Sequence, residues 1–359
     1  MPPYAALPAL LAFIVAAVVT PYVRRLAWRL DIVDRPDSQR KTHGRPVALM
    51  GGLAIFLAIT AAVVGAVAVG WLPGDHIKGK FLAGIIAAAL ILTVGGVLDD
   101  AYDLRPSRQI VFPLLAALAI VASGIGIKFI TNPFGGQFFL DRYAVTVLWL
   151  GGIPYKLSII ADLFTVCWLM GMTYTTKFLD GLDGLVSGVT VIGALVIAAV
   201  SVMKDVSQPD TAMLALVVAA AFLGFLLFNA SPASIFLGEG GSTMAGFLLG
   251  TLAIISGGKI ATTLLVIGLP LFDAAFVIVR RMVKDRKSPT AADRSHLHFR
   301  LLDLGFTPRQ VVLFYYFVAA LFGTSTLILK GWENVAAIGF LVSVLAALTA
   351  AGMLAYRKR

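Results

Sequence analysis

FLAGIIAAALILTVGGVLDDAYDL, residues 81–104, decides the fold class. Residues 81–98 carry no charge, and Asp99, Asp100 and Asp103 then follow within five positions. An uncharged apolar run of about 18 residues or more is long enough to span a bilayer as a helix. Runs of this kind recur along all 359 residues, which are 59% hydrophobic and 13% charged, with a mean hydropathy of +0.92. Soluble domains carry about 25% charged residues. The composition therefore excludes a soluble enzyme and specifies an all-α polytopic membrane protein, one domain over 1–359. The first run, Ala5 to Val19, has no basic leader, and Arg24 and Arg25 come after it, so it is expected to stay as a first helix rather than act as a signal peptide. The single cysteine, Cys167, lies in an apolar run and is expected to be a small buried thiol.

Eleven spans are expected, at 4–20, 47–70, 81–98, 110–130, 157–175, 185–203, 211–229, 243–257, 260–280, 310–329 and 334–355. If successive connections alternate sides, 21 of the 29 Lys and Arg residues fall on one side and 8 on the other. The positive-inside rule then puts the N-terminus outside and the C-terminus in the cytosol. The net charge of +10 is thus mainly topogenic and does not imply nucleic acid. The cytosolic loops are expected at 21–46, 99–109, 176–184, 230–242 and 281–309. Outside, 131–156 is too broken for a span and reads as a surface hairpin. Near the end, Gly305 should stop a short amphipathic helix, and Thr307, Pro308 and Gln310 form a capping box that starts the next span.

With this orientation the acids gather on one membrane face. Asp99, Asp100 and Asp103 end span 3. In FLDGLDGL, Asp180 and Asp183 are three apart, the spacing of one helical face, and Gly181 and Gly184 permit close approach or a break. In LGEGGST, Glu239 lies among three glycines, with Ser242 or Thr243 as N-cap of a helix whose N–H groups can cradle an anion. Clustered carboxylates repel unless something positive lies between them, and oxygen ligands beside phosphates suit Mg²⁺. Lys177 stands beside the Asp-Gly pair. DRSHLHFR offers Arg294, His296, His298 and Arg300 as a phosphate grip. The two histidines are two apart and do not share a helical face, which disfavours a two-His metal site. Asp273 follows Pro270, whose missing N–H can open its helix; a ligand, a proton carrier and a partner for a buried base are all open to it.

These motifs resemble the polyprenyl-phosphate N-acetylhexosamine-1-phosphate transferases, relatives of the phospho-N-acetylmuramoyl-pentapeptide transferase, over nearly the whole chain. DRPDSQRKTHGRPVALMGGLAIF resembles their first cytosolic loop, which brings in Lys41 and His43. DDAYDL, FLDGLDGL and PLFDAAFVIVRR resemble their acidic motifs, and DRSHLHFRLLDLGFTPRQ their late loop. The chain departs from the pattern at Tyr174 and Lys177, where asparagines are usual, at Glu239, where Asp is usual, and at Phe299, where His is common. The resemblance implies Mg²⁺-dependent transfer (Mn²⁺ as a substitute) of N-acetylglucosamine-1-phosphate from a UDP-sugar to undecaprenyl phosphate. UMP would leave, in the first membrane step of a cell-envelope glycan made at the bacterial inner membrane with the site facing the cytosol. It implies Asp99, Asp100, Asp180 and Asp183 as catalytic residues. Glu239, Asp103 and Asp183 would hold the metal. Lys41, His43, Lys177, Arg294, His296, His298 and Arg300 would hold phosphate or nucleotide, with Asp273 as a further member. Direct attack and a covalent aspartyl-phosphate are both compatible with these residues, and a homodimer is among the expected assemblies. A secondary transporter, which also uses intramembrane carboxylates, and a non-catalytic scaffold are the rival classes. Transport sites sit near the midplane, whereas all the acids here except Asp273 gather at one face.

Overall fold

A computed structural model describes residues 6–36, 45–131, 136–142, 144–150, 153–203, 206–257, 260–283, 296–329, 332–333 and 336–343. The chain opens with α1 (Leu7–Arg29), the short ribbon β1 (Val33–Asp34) and β2 (Val47–Ala48), then α2 (Gly51–Ala68) and α3 (Gly79–Tyr102). After α3 come α4 (Pro106–Gln109) and α5 (Val111–Ser123). Two antiparallel hairpins follow, β3 (Phe129–Thr131) with β4 (Gln137–Phe139), and β5 (Val145–Leu150) with β6 (Ile153–Leu157). The rest is helical: α6 (Ile159–Leu179), α7 (Leu185–Ser201), α8 (Pro209–Asn229), α9 (Gly238–Ile255), α10 (Ile260–Val266), α11 (Gly268–Val283), α12 (Leu297–Asp303) and α13 (Pro308–Ser325).

Six of these helical stretches are long and apolar enough to cross a membrane: Ala6–Arg29, Gly51–Ala68, Gly79–Tyr102, Pro106–Ser123, Ile159–Leu179 and Pro209–Asn229. Their outer faces expose large apolar side chains, for example Leu10, Ile14 and Val18 on α1, Leu90 and Val94 on α3, and Leu114 and Leu118 on α5. Apolar surface of this extent is tolerated when lipid is the solvent. The protein is a multi-pass membrane protein. Cys167 is exposed on α6, which corrects the expected buried thiol: a lipid-facing position is as apolar as a core one, so the run could not distinguish them.

Helix α9 is the central element. It packs against α2, α3, α6, α7 and α8, and Gly240 through Ile254 are buried. Its glycines decide how close the neighbours come. A Cβ on Gly96 of α3 would collide with the backbone of Gly240, and one on Gly52 of α2 with that of Gly241. Small residues that let backbones touch are the usual glue between helices in a membrane. Helix α9 therefore begins at Gly238, where a loop to 242 and an N-cap at Ser242 or Thr243 were expected. Tertiary packing overrides the poor helix propensity of glycine, and the two hydroxyls instead donate to the carbonyls of Gly238 and Glu239 one turn back.

Three other boundaries differ from the sequence expectation. Helix α1 continues to Arg29, so the 21–46 connection begins nine residues later than expected. The span expected at 260–280 is divided at Ile267. Pro270 supplies no N–H for the carbonyl of Val266 and its ring presses on that turn. The 131–156 region forms two hairpins rather than one. The capping box at Thr307, Pro308 and Gln310 is present, and Gly305 stops α12 at φ +99°.

Candidate active site

Asp99 and Asp100 occupy the last turn of α3, and Asp103 caps it in the left-handed region, φ +48°. Its N–H closes the turn on the carbonyl of Asp99 at 2.8 Å. The expected loop 99–109 is therefore mostly helical: the end of α3, a three-residue link over 103–105, and α4. That turn-back brings Gln109 under the acids. Its side-chain NH₂ donates to Asp99 Oδ1 at 2.8 Å and to the carbonyl of Leu104 at 2.9 Å, while the Leu104 N–H also reaches Asp99 Oδ1 at 3.1 Å.

The other end of the same amide faces α6. Lys177 Nζ donates to Gln109 Oε1 at 3.0 Å and to Glu239 Oε1 at 2.6 Å, and lies 5.6 Å from the centre of the Tyr174 ring. Glu239 sits in the first turn of α9, where backbone N–H groups have no partner within the helix. Its N–H donates to Asp100 Oδ1 at 2.9 Å, so Asp100 caps α9 from across the interface, where the helix dipole favours a carboxylate. Asp99, Gln109, Lys177, Glu239 and Asp100 thus close a ring over α3, α4, α6 and α9.

Asp180 and Asp183 flank the ring but do not share a helical face as expected. Asp180 is the C-cap of α6 and Asp183 lies in the turn before α7, because Gly184 takes φ +77° and reverses the chain there. Asp183 Oδ2 accepts from the Ala233 N–H at 3.0 Å and so ties down the segment that leads into α9. Desolvation of the Asp180 carboxyl, together with the charges of Glu239, Asp100 and Asp183, raises its pKa to about 8. The residue is exposed, so the crowding of acids is the firmer of the two causes.

A second cluster adjoins the Asp-Gly turn. Asp273 of α11 is buried; its Oδ2 is 2.9 Å from His296 Nδ1 and its Oδ1 accepts the Leu297 N–H at 2.8 Å. It is therefore the partner of a buried base. His296 precedes α12 as its N-cap, so its ring can stack on that of His298 with centroids 5.7 Å apart and planes 9° apart. Two positions inside one helix could not meet in this way. Phe178 of α6 also stacks on His296, with centroids 5.9 Å apart. His298 is buried against Gly181, and among the described residues neither ring nitrogen has a hydrogen-bond partner. Burial, and then the charge on His296, lower its pKa to about 3. Arg300 lies over the ring of Phe276 at 5.4 Å. Lys41, His43 and Arg294 lie outside the described residues.

Between α3, α5 and α9 a small cleft leaves the ring. Asp99, Gln109 and Glu239 form its polar end, and Leu92, Gly95, Gly96, Phe112 and Pro113 line its apolar part. The acids as arranged do not fit a protein-built divalent site. Among the described residues no three His, Cys, Asp or Glu side chains are placed to hold a metal ion. Glu239 spends an oxygen on Lys177, while Asp99, Asp100 and Asp183 are held by N–H donors. Gln109 was not anticipated from sequence; a lone glutamine in a short polar connection carries no pattern that marks it.

Residues 82–257 match the family model described as glycosyl transferase family 4. The chain is 34% identical to a probable undecaprenyl-phosphate N-acetylglucosaminyl 1-phosphate transferase of Bacillus subtilis, over 89% of this chain and 84% of that protein. It is 30% identical to a decaprenyl-phosphate N-acetylglucosaminephosphotransferase of Mycolicibacterium smegmatis, over 87% and 78%. Similarity extends to a phospho-N-acetylmuramoyl-pentapeptide-transferase of Anoxybacillus flavithermus, 28% identical over 90% and 96%.

Proposed function

Because this chain belongs to glycosyl transferase family 4, we propose that it is a sugar-1-phosphate transferase that moves N-acetylglucosamine-1-phosphate from UDP-N-acetylglucosamine to a polyprenyl phosphate. The supporting observation is the ring itself. It sets carboxylates, an ammonium and the first turn of α9 beside a small, largely apolar cleft, a combination suited to a lipid phosphate and a water-soluble donor. The orientation proposed for this reading is eleven spans with the N-terminus outside, and with the ring facing the cytosol of a bacterial inner membrane.

An oxygen of the lipid phosphate attacks the β-phosphorus of the nucleotide sugar. The new P–O bond forms as the bond to the oxygen bridging the two phosphorus atoms breaks, and UMP leaves with that oxygen and its electron pair. Such a transfer needs mainly positioning and charge stabilisation. Asp99 is the better placed base, since both donors that hold it reach only Oδ1 and leave Oδ2 for the lipid phosphate proton. Asp100 is committed to the start of α9. Lys177 offers its ammonium to the phosphates.

Purified protein with undecaprenyl phosphate and UDP-N-acetylglucosamine should release UMP only when both are present, and Asp99→Asn should lower kcat by about 10²-fold or more, the typical scale for general-base catalysis. Near-normal rates in both Asp99→Asn and Asp100→Asn would sink the assignment.

A further inference from the structure

We infer that Lys177 is the resident cation of the transfer site: its ammonium, rather than a divalent ion held by the protein's acids, neutralises Glu239 and meets the phosphate charge of the substrates. This rests on the reading above. It starts from the Nζ position, 2.6 Å from Glu239 Oε1 and 3.0 Å from Gln109 Oε1, with both side chains of the ion pair less than a fifth exposed. A pair this sheltered is screened little by salt, and breaking one partner away leaves an uncompensated charge.

Gln109 makes the arrangement directional. Its NH₂ is spent on Asp99 and on the Leu104 carbonyl, so its carbonyl oxygen must face Lys177. The reversed amide would set NH₂ against the ammonium and an oxygen against the carboxylate. Gln109 is therefore a positioning residue, holding the base candidate and the cation at fixed separation. An ammonium has three donors, and two are used within the ring. The third, and the charge itself, remain for an incoming phosphate oxygen.

A divalent ion seated on Glu239 would have to displace Lys177 or lie beside it, and like charges at that range in a sheltered site repel strongly. The other acids do not compensate. Asp100 is turned to the Glu239 N–H and Asp183 to the Ala233 N–H, and among the described residues no three His, Cys, Asp or Glu side chains are grouped to hold a metal ion. Glutamate at 239 and lysine at 177 make one change in two places: the longer carboxylate reaches the ammonium that the lysine brings.

Two measurements on the full chain in detergent test this. The first is UMP release from undecaprenyl phosphate and UDP-N-acetylglucosamine in EDTA and in Mg²⁺, for the natural chain, Lys177→Arg and Lys177→Met. The natural chain should keep most of its rate in EDTA, and Lys177→Arg a measurable part of it. Lys177→Met should lose about 10²-fold in EDTA, the scale of removing one charge-stabilising donor, and regain part of it in Mg²⁺. The second is Mn²⁺ binding followed by electron paramagnetic resonance, without substrates. Lys177→Asn should bind one Mn²⁺ more tightly than the natural chain, whose Glu239 is already paired. A natural chain that is silent in EDTA, active in Mg²⁺ and stoichiometric for Mn²⁺ would overturn the inference. No UMP from any chain in either medium would instead defeat the functional reading, and the Mn²⁺ comparison would still decide the inference.

Discussion

His298 shows what burial does to a single residue here. It is enclosed between His296, Phe299 and Gly181, and it is held neutral because a charged ring there has lost its water. Its folded pKa, about 3, lies below the unfolded value of about 6.5. Between those values the unfolded chain takes up a proton that the native chain refuses, so stability is full above about pH 6.5 and falls by about 1.4 kcal/mol per pH unit on acidification towards 3. Thermal unfolding in detergent should therefore show a midpoint that drops between pH 6.5 and 4.5, and His298→Gln should flatten that drop. An equal slope in both proteins would mean that His298 is protonated in the native state. Asp273 makes a complementary case: its two oxygens fix His296 and the start of α12 together, so one buried carboxylate aligns a ring and a helix.

At the scale of elements, the contact of α3 with α9 sets the site geometry. Gly96 and Gly240 bring two backbones together, and only this approach lets the Glu239 N–H reach Asp100. Gly96→Leu should therefore push α9 away, at a cost of about 1–3 kcal/mol from overpacking. The thermal midpoint should fall, and UMP release should fall further than stability alone requires because the Asp100 cap would open. Gly65→Leu serves as the comparison, since a Cβ there meets only the end of Leu11 at 3.3 Å. Equal effects on activity from the two substitutions would deny α3–α9 contact this special role. The break at Ile267 acts in the same way, since it separates α10 from α11, and α11 carries Asp273.

Across the whole molecule the polar features divide between the two ends of the bundle. The acid ring gathers the C-terminal ends of α3 and α6 with the N-terminal end of α9. The opposite end carries the hairpins and a structural clamp, in which Asp210 Oδ2 accepts the N–H groups of His76 and Ile77 at 2.8 and 2.7 Å. In a Cys167→Ser background, a membrane-impermeant maleimide added to intact cells should label Phe138→Cys, whose position is exposed on β4, and not Phe306→Cys, exposed beside α12. The reverse pattern would invert the orientation that the Lys and Arg distribution implies.

The sequence by itself determined the solvent, the class and the inventory of this protein. Apolar runs of bilayer length require helices because no water is there to satisfy the backbone, and the acidic motifs, the histidines and the capping box at Thr307 could be read as local patterns. What only the tertiary structure decided is who faces whom. The start of α9 at Gly238, the pairing of Lys177 with Glu239, the Asp100 cap and the bridging by Gln109 all join residues at least 62 positions apart, except Gln109 to Asp99, which needs the reversal after Asp103. Such contacts depend on how closely glycine-lined helices approach, and a one-dimensional pattern holds period and propensity but not distance. The lipid-facing Cys167 and the division at Ile267 were hidden for a related reason: in a membrane the inside and the outside of a helix bundle are equally apolar, so hydropathy alone cannot say which face is which.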